Sequence, residues 1–245
     1  KRGLARMHAL RGKSTAMASP LTDRPMEIAI LTVAETTSST VYGMNDLLCS
    51  AGRDWGLITQ GQPGTPLIRP TIVSTSGEPM QVANNGWIMP HRSLDADYHP
   101  DAVCVLEIAI APRSDFAIGM SEEIDWLQHY WRKGGIIAAA CTGALLLAEA
   151  GLLDDQDATT HWGFCDFVSR RYPKVRLHPN RALVTSGEEQ RLIMAGGGTS
   201  WMDLGLYLIA RFCGVEEAIH VAKVHLIDWH EVGQQPYAVL SCGRK

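Results

Sequence analysis

The sequence predicts an α/β fold, with a doubly wound, mainly parallel sheet and helices on both faces. Three observations predict it. Short apolar runs recur at residues 26–33 (MEIAILTV), 102–108 (AVCVLEI) and 136–140 (IIAAA). Runs of this length with little polar alternation suit strands buried on both faces of a parallel sheet. Segments with helical patterning lie between and after them, at residues 41–51, 121–133 and 144–150. Such an alternation of strand and helix is the signature of an α/β domain. The third observation is a strand that passes into a helix within three residues, at Cys141, Thr142 and Gly143.

That junction organises the chain. Residues 144–150 (ALLLAEA) are strong helix formers, and Gly151 stands where a C-terminal cap belongs. A turn this sharp holds its side chain out from the carboxyl edge of the sheet, at a helix N-terminus. Free backbone N–H groups and the positive end of the helix dipole favour thiolate there, so a lowered thiol pKa is expected for Cys141. The geometry is that of a nucleophile elbow with cysteine in place of serine. A second reading stands beside it, because cysteine is among the most buried residue types and often only fills a core.

Composition bounds the rest. At 245 residues there is ample chain for a core, and 46% apolar with 20% charged residues is ordinary for a globular protein. No apolar run reaches the length of a membrane span. The six cysteines are irregularly spaced, which suits reduced thiols in a cytoplasmic protein more than a disulfide framework. Residues 1–16 stand apart, with five Lys or Arg and no acid, and read as an expression or mistranslated leader with the natural start at Met17. Without those five charges the net charge falls from −4 to −9. A body this acidic repels a phosphate backbone, so DNA binding by this segment itself is not expected.

In chain order, residues 26–33 form the first strand, opening after Pro20 and Pro25. Residues 35–40 (ETTSST) make a polar loop at its carboxyl end, and residues 41–51 a helix stopped by Gly52. Ligands of open α/β sheets sit outside the carboxyl ends of strands, which makes residues 36–42, with Thr40 and Tyr42, a pocket candidate. Residues 67–75 are a second strand, and residues 79–90 hold short strands about the Asn84-Asn85-Gly86 turn. Glu107 lies near the carboxyl end of the 102–108 strand. Either it enters a pocket near Cys141, where its charge would raise the thiol pKa, or it hydrogen-bonds loop N–H groups.

Residues 121–133 read as an amphipathic helix with Ser121 as N-cap and Ile124, Leu127 and Trp131 as the core stripe. Residues 158–162 (ATTHW) follow the elbow helix, with Thr159 and Thr160 in a short strand, and residues 162–171 forming a helix. His161 is the only histidine close in sequence to Cys141; it can be read as a base for the thiol or as a structural pocket residue. The pairing of His161 with Cys165, and the set His220, His225 and His230, lack a four-ligand zinc spacing, so no metal site is expected. Strands are expected at residues 175–177, 183–186 and 192–195. The glycines of residues 196–203 (GGGTSWMD) match no phosphate-binding motif and read as close backbone approach beside the elbow. Trp201 is large enough to line a pocket wall. Residues 215–227 form a last amphipathic helix, and residues 228–240 are polar and irregular.

Taken together, the words ACTGALLLAEAGLLD, ATTHW and GGGTSWMD resemble the PfpI/ThiJ-like superfamily, whose fold is similar to class I glutamine amidotransferases. The resemblance covers residues 27–240. It implies a flavodoxin-like α/β domain and points to two branches. One is the effector-sensing domain of AraC-type transcription regulators, which carries the same TTHW and generally lacks an ordered Cys–His–acid triad. The other is the isocyanide hydratases, which would use Cys141 as nucleophile with the Thr142 backbone N–H. Those enzymes have aspartate three residues before the glycine that matches Gly43. Here Thr40 stands instead, and a hydroxyl cannot act as a carboxylate base at neutral pH. The resemblance therefore implies a sensor spanning residues 17–240, with residues 241–245 opening a linker to a helix-turn-helix domain outside this chain. A small-molecule effector would sit among Thr40, Tyr42, Glu107, Cys141, Thr142, Thr160, His161 and Trp201. A homodimer is expected, and no cofactor.

Overall fold

The computed structural model describes residues 24–112 and 119–228. The leader at 1–16, the linker at 241–245 and Cys242 lie outside them. A seven-stranded sheet forms the centre, in the order β10-β11-β7-β6-β1-β2-β5. Its strands are β1 Met26–Leu31, β2 Ile68–Ser74, β5 Arg92–Ser93, β6 Ala102–Val105, β7 Ile137–Ala140, β10 Leu183–Ser186 and β11 Leu192–Ala195. Every pairing is parallel except the edge pair β10–β11. Two small ribbons flank it: β3 Met80–Gln81 with β4 Trp87–Ile88, and β8 Asp157–Ala158 with β9 Arg176–Leu177.

The strands bury both faces, as their unbroken apolar runs require. Ile28, Ile30, Cys104, Ala138, Ala140 and Ile193 face one core. Ala29, Leu31, Val103, Ile137, Ala139, Leu192 and Met194 face the other. The period of two thus divides each strand between two hydrophobic layers. Helices α1 Ser38–Cys49, α6 Ser200–Cys213 and α7 Val215–His225 cover the first face. Helices α3 Ser121–Arg132 and α4 Gly143–Glu149 cover the second, with α5 Cys165–Arg171 adding Val168. A short helix, α2 Asp54–Gln60, packs beside α7.

Sheet order locates the functional edge. From β1 the chain moves outward to β2 on one side, then returns to β6 and proceeds outward to β7 and β11 on the other. The order reverses between β1 and β6. At such a switch point the two following loops diverge to opposite faces and leave a crevice at the carboxyl edge.

Helix α3 departs from expectation in detail. Met120, not Ser121, holds the N-cap position, without a side-chain cap bond. The buried stripe is Glu123, Trp126, Leu127 and Tyr130, so the helix is rotated from the Ile124–Leu127–Trp131 face. Aromatic packing decides this. Trp126 stacks on Tyr130 at 5.1 Å, and the Tyr130 hydroxyl donates to Pro100 O at 2.9 Å. Tyr130 thereby satisfies its polar end while burying its ring. The segment after the elbow helix also differs. The strand is β8, ending before Thr159 and Thr160, and residues 162–171 split into a 3₁₀ turn at Trp162–Phe164 and α5.

Candidate functional site

The site is built from the segments after β1, β6, β7, β8 and β11. Strand β7 ends at Ala140 and α4 begins at Gly143. Cys141 between them has φ +57°, a left-handed conformation that costs a non-glycine residue about 1–2 kcal/mol. Neighbouring strands hold it there. The Cys141 N–H donates to Ala195 O at 3.1 Å and Gly196 O at 2.9 Å. The Thr160 hydroxyl donates to Cys141 O at 2.9 Å. The strand-to-helix elbow is therefore present, with a strained backbone braced from two sides.

The thiol pKa is raised, not lowered, which corrects the expectation from the elbow alone. Cys141 is 6% exposed, and burial first, then the Glu107 charge, push its pKa up to about 11. Hydrogen bonds from the Thr142 and Gly198 N–H groups act the other way and are outweighed. Desolvation beats the helix terminus because α4 has only seven residues and its first six are buried.

Glu107 is carried by the loop after β6. A bridge between Thr36 and Ile108 ties this loop to the one after β1. The Thr37 hydroxyl donates to Glu107 Oε2 at 3.0 Å, and the Thr37 and Thr40 hydroxyls lie 3.0 Å apart. Thr40 also donates to Thr37 O at 3.0 Å. Glu107, Thr37 and Thr40 form one chain across the switch point. The Glu107 charge acts on both Cys141 and His161. Of the two readings of Glu107, its partner is a loop hydroxyl, and its charge does reach the thiol.

His161 is kept neutral. Burial lowers its pKa, and the opposing charge of Glu107 does not restore it. Its Nδ1 accepts the Gly163 N–H at 3.1 Å, capping the 3₁₀ turn, which leaves the proton of the neutral ring on Nε2. One face of the ring lies on Gly197, where an added Cβ would fall 2.1 Å from Cδ2. The glycine run thus serves close approach, as read from the sequence. The Cys165 thiol bonds the His161 carbonyl at 3.6 Å, not its ring.

The remaining predicted residues are placed differently. The Thr142 hydroxyl is clamped to the loop after β6, donating to Ile108 O at 2.7 Å and accepting from Ile108 N at 2.8 Å. Thr160 is fully buried and braces the elbow. Tyr42 turns to the β4 side, its hydroxyl accepting from Met89 N at 3.1 Å and donating to Trp87 O at 3.5 Å. Trp201 is half-buried and packs between α6 and α1, its ring 2.7 Å from where a Gly43 Cβ would stand. Thr37 and Gly198 were not singled out in the sequence. Thr37 sits in the polar loop at the carboxyl end of β1, and its role depends on a partner seventy residues away. Among the described residues, no three His, Cys, Asp or Glu side chains gather as metal ligands. No helix there is long and apolar enough to cross a membrane.

No protein-family model matches the chain. It is 34% identical over 100 residues to the HTH-type transcriptional regulator CdhR of Pseudomonas aeruginosa, covering 41% of this chain and 29% of that protein. It is 30% identical over 107 residues to the HTH-type transcriptional regulator GbdR of the same species, covering 44% and 28%. An isonitrile hydratase of Pseudomonas putida is 30% identical over 97 residues, covering 40% of each. The matched part spans less than a third of either regulator. Among solved structures, DJ-1beta of Drosophila melanogaster superposes with TM-score 0.65 at 19% identity, over 84% of this chain and all of that one. An AraC family transcriptional regulator from Pseudomonas putida superposes with TM-score 0.63 at 19% identity, over 82% and 100%. The chain has the PfpI/ThiJ-like, DJ-1-like α/β fold, and its sequence resembles HTH-type transcriptional regulators.

Proposed function

We propose that this chain is the effector-sensing domain of an AraC-type transcription regulator, with DNA contacted through a separate helix-turn-helix domain. One observation carries the reading. The elbow cysteine sits in a fold that can support catalysis, yet each group needed for turnover is disarmed. Burial and the Glu107 charge push the Cys141 thiol up to about 11, His161 has its Nδ1 lone pair engaged, and Thr40 stands where the hydratases this sequence resembles have aspartate. A positioned acid or base contributes about 10²–10⁴-fold to such chemistry, so its absence favours binding over turnover. The matches to HTH-type regulators support the same reading.

In this reading the effector lies at the switch point, beside Glu107, Cys141 and His161. Residues 17–240 make the sensor, residues 241–245 begin the linker, and the protein works in the cytoplasm as a homodimer. The test lies in the gene. Continued in frame past Lys245, it is expected to encode about a hundred residues with two helix-turn-helix patterns. A stop codon directly after Lys245 would count against the regulator.

The alternative is an isocyanide-hydratase-like lyase, favoured by the match to the isonitrile hydratase. It would need Glu107, the carboxylate whose charge acts on Cys141, to do the work of the missing acid.

A further inference from the structure

We infer that two copies of this chain meet, about a two-fold axis, at the face formed by Trp87 and Met89 of the β3–β4 ribbon and Tyr42 of α1. This rests on the homodimer proposed above and names the surface that makes it.

Exposure marks the face. Trp87 is 59% exposed, Met89 58% and Tyr42 36%. Ile88 between the first two is buried, so the alternation of an extended chain turns Trp87 and Met89 outward together. The three side chains leave roughly 300 Å² open, a size of patch that on a monomer is often functional. Trp, Tyr and Met are the residue types that interface cores favour over the rest of the surface. Such a cluster suits the centre of an interface burying about 800 Å² a side.

Tyr42 fastens the ribbon to α1. Its hydroxyl accepts from Met89 N at 3.1 Å and donates to Trp87 O at 3.5 Å. In an antiparallel ribbon paired through Ile88, these are the backbone groups turned away from β3. The open edge of β4 is thus capped, which bars a further strand from adding to it and leaves the side-chain face on offer. The Ala83 N–H donates to Thr36 O at 3.2 Å, so this face backs on the loop that carries Thr37 and Thr40.

Charge identifies the occupant. Residues 36–45 and 79–90 hold no Asp, Glu, Lys or Arg, in a chain that is 20% charged with a net charge of −4. A two-fold axis sets a surface against itself, so a charged face would meet its own sign. Like charges set against each other oppose association, and an uncharged face escapes that penalty. A strongly basic or acidic partner would find no complementary charge here. The first charge along α1 is Asp46, exposed one turn past Tyr42, where a polar rim belongs.

Sedimentation velocity of the 245-residue chain over a dilution series tests this. The unaltered chain is expected to dimerise at micromolar concentration. Trp87→Glu, which sets two carboxylates face to face, should weaken the dimer at least about a hundredfold. Ile58→Glu, at an equally open position on α2, should leave it unchanged. A mixture of Trp87→Glu with Trp87→Lys should associate more tightly than either variant alone, a recovery that misfolded chains cannot give. In the unaltered chain, peroxide should oxidise Met89 more slowly as the dimer fills, with half-buried Met202 as the reference. A dimer that survives Trp87→Glu, a mixture that stays apart, or Met89 as reactive in the dimer as in dilute chain would overturn the face and leave the homodimer standing. A chain that stays monomeric at every concentration would overturn both.

Discussion

At the residue scale, Cys141 shows how one position can satisfy a motif and lose its chemistry. The strand–Cys–x–Gly–helix pattern placed it correctly at the elbow, because local turn geometry is written in adjacent residues. The raising effect of Glu107, thirty-four positions away, was among the sequence readings, but the burial that dominates it was not legible, because it depends on segments brought together only by the fold. Alkylation by iodoacetamide should therefore be slow at pH 7, and its rate should keep rising toward pH 11 in place of levelling near pH 9. Glu107→Gln should speed alkylation at pH 8 several-fold, since removing the negative charge lowers the thiol pKa. Peptide mapping after timed labelling reads both. Rapid labelling of Cys141 ahead of half-buried Cys49 at pH 7 would show that the thiol is not held as described.

At the element scale, the elbow is an assembly of β7, α4 and the loop after β6. Gly143 opens α4 against the backbone of β6. An added Cβ would fall 2.2 Å from Val105 O and 2.4 Å from Leu106 O, and neither atom can swing aside. Gly143→Ala should cost about 3 kcal/mol in urea unfolding, as overpacking against rigid backbone does. Thr142→Val should cost about 1–3 kcal/mol by stranding the buried Ile108 N–H, while the Ile108 carbonyl keeps the Ile110 N–H, and Thr142→Ser should recover most of it. A neutral Thr142→Val would mean that the clamp is dispensable. The strands and most helices were legible at this scale, because apolar runs and helix formers act locally. The face of α3 was not. Ile124 and Trp131 fit the helical period as well as Trp126 and Tyr130 do, and only the Pro100 carbonyl and the aromatic stack select the second set.

At the scale of the whole molecule, topology makes the site. Parallel order, with its reversal between β1 and β6, brings residues from the loops after β1, β6, β7 and β11 to one edge, where the segment after β8 joins them. The sequence identified the fold class and the edge, and Glu107, Cys141 and His161 as candidates. It could not show that Tyr42 and Trp201 are taken up by other packing, since that choice depends on the β3–β4 ribbon and on α1 against α6. A regulator reading paired half-sites needs a two-fold partner, so light scattering should give a mass near twice 26.8 kDa. A monomer at high concentration would contradict that expectation.

The central claim is that this crevice binds without turning over. Its most direct test is hydration of a simple alkyl isocyanide by the unaltered chain, with Thr40→Asp and Glu107→Gln beside it. The account predicts at most slow residual turnover, raised by Thr40→Asp, which restores a carboxylate at the position now held by a hydroxyl. Robust turnover by the unaltered chain, abolished in Glu107→Gln, would contradict it and identify an enzyme whose acid has moved to the loop after β6.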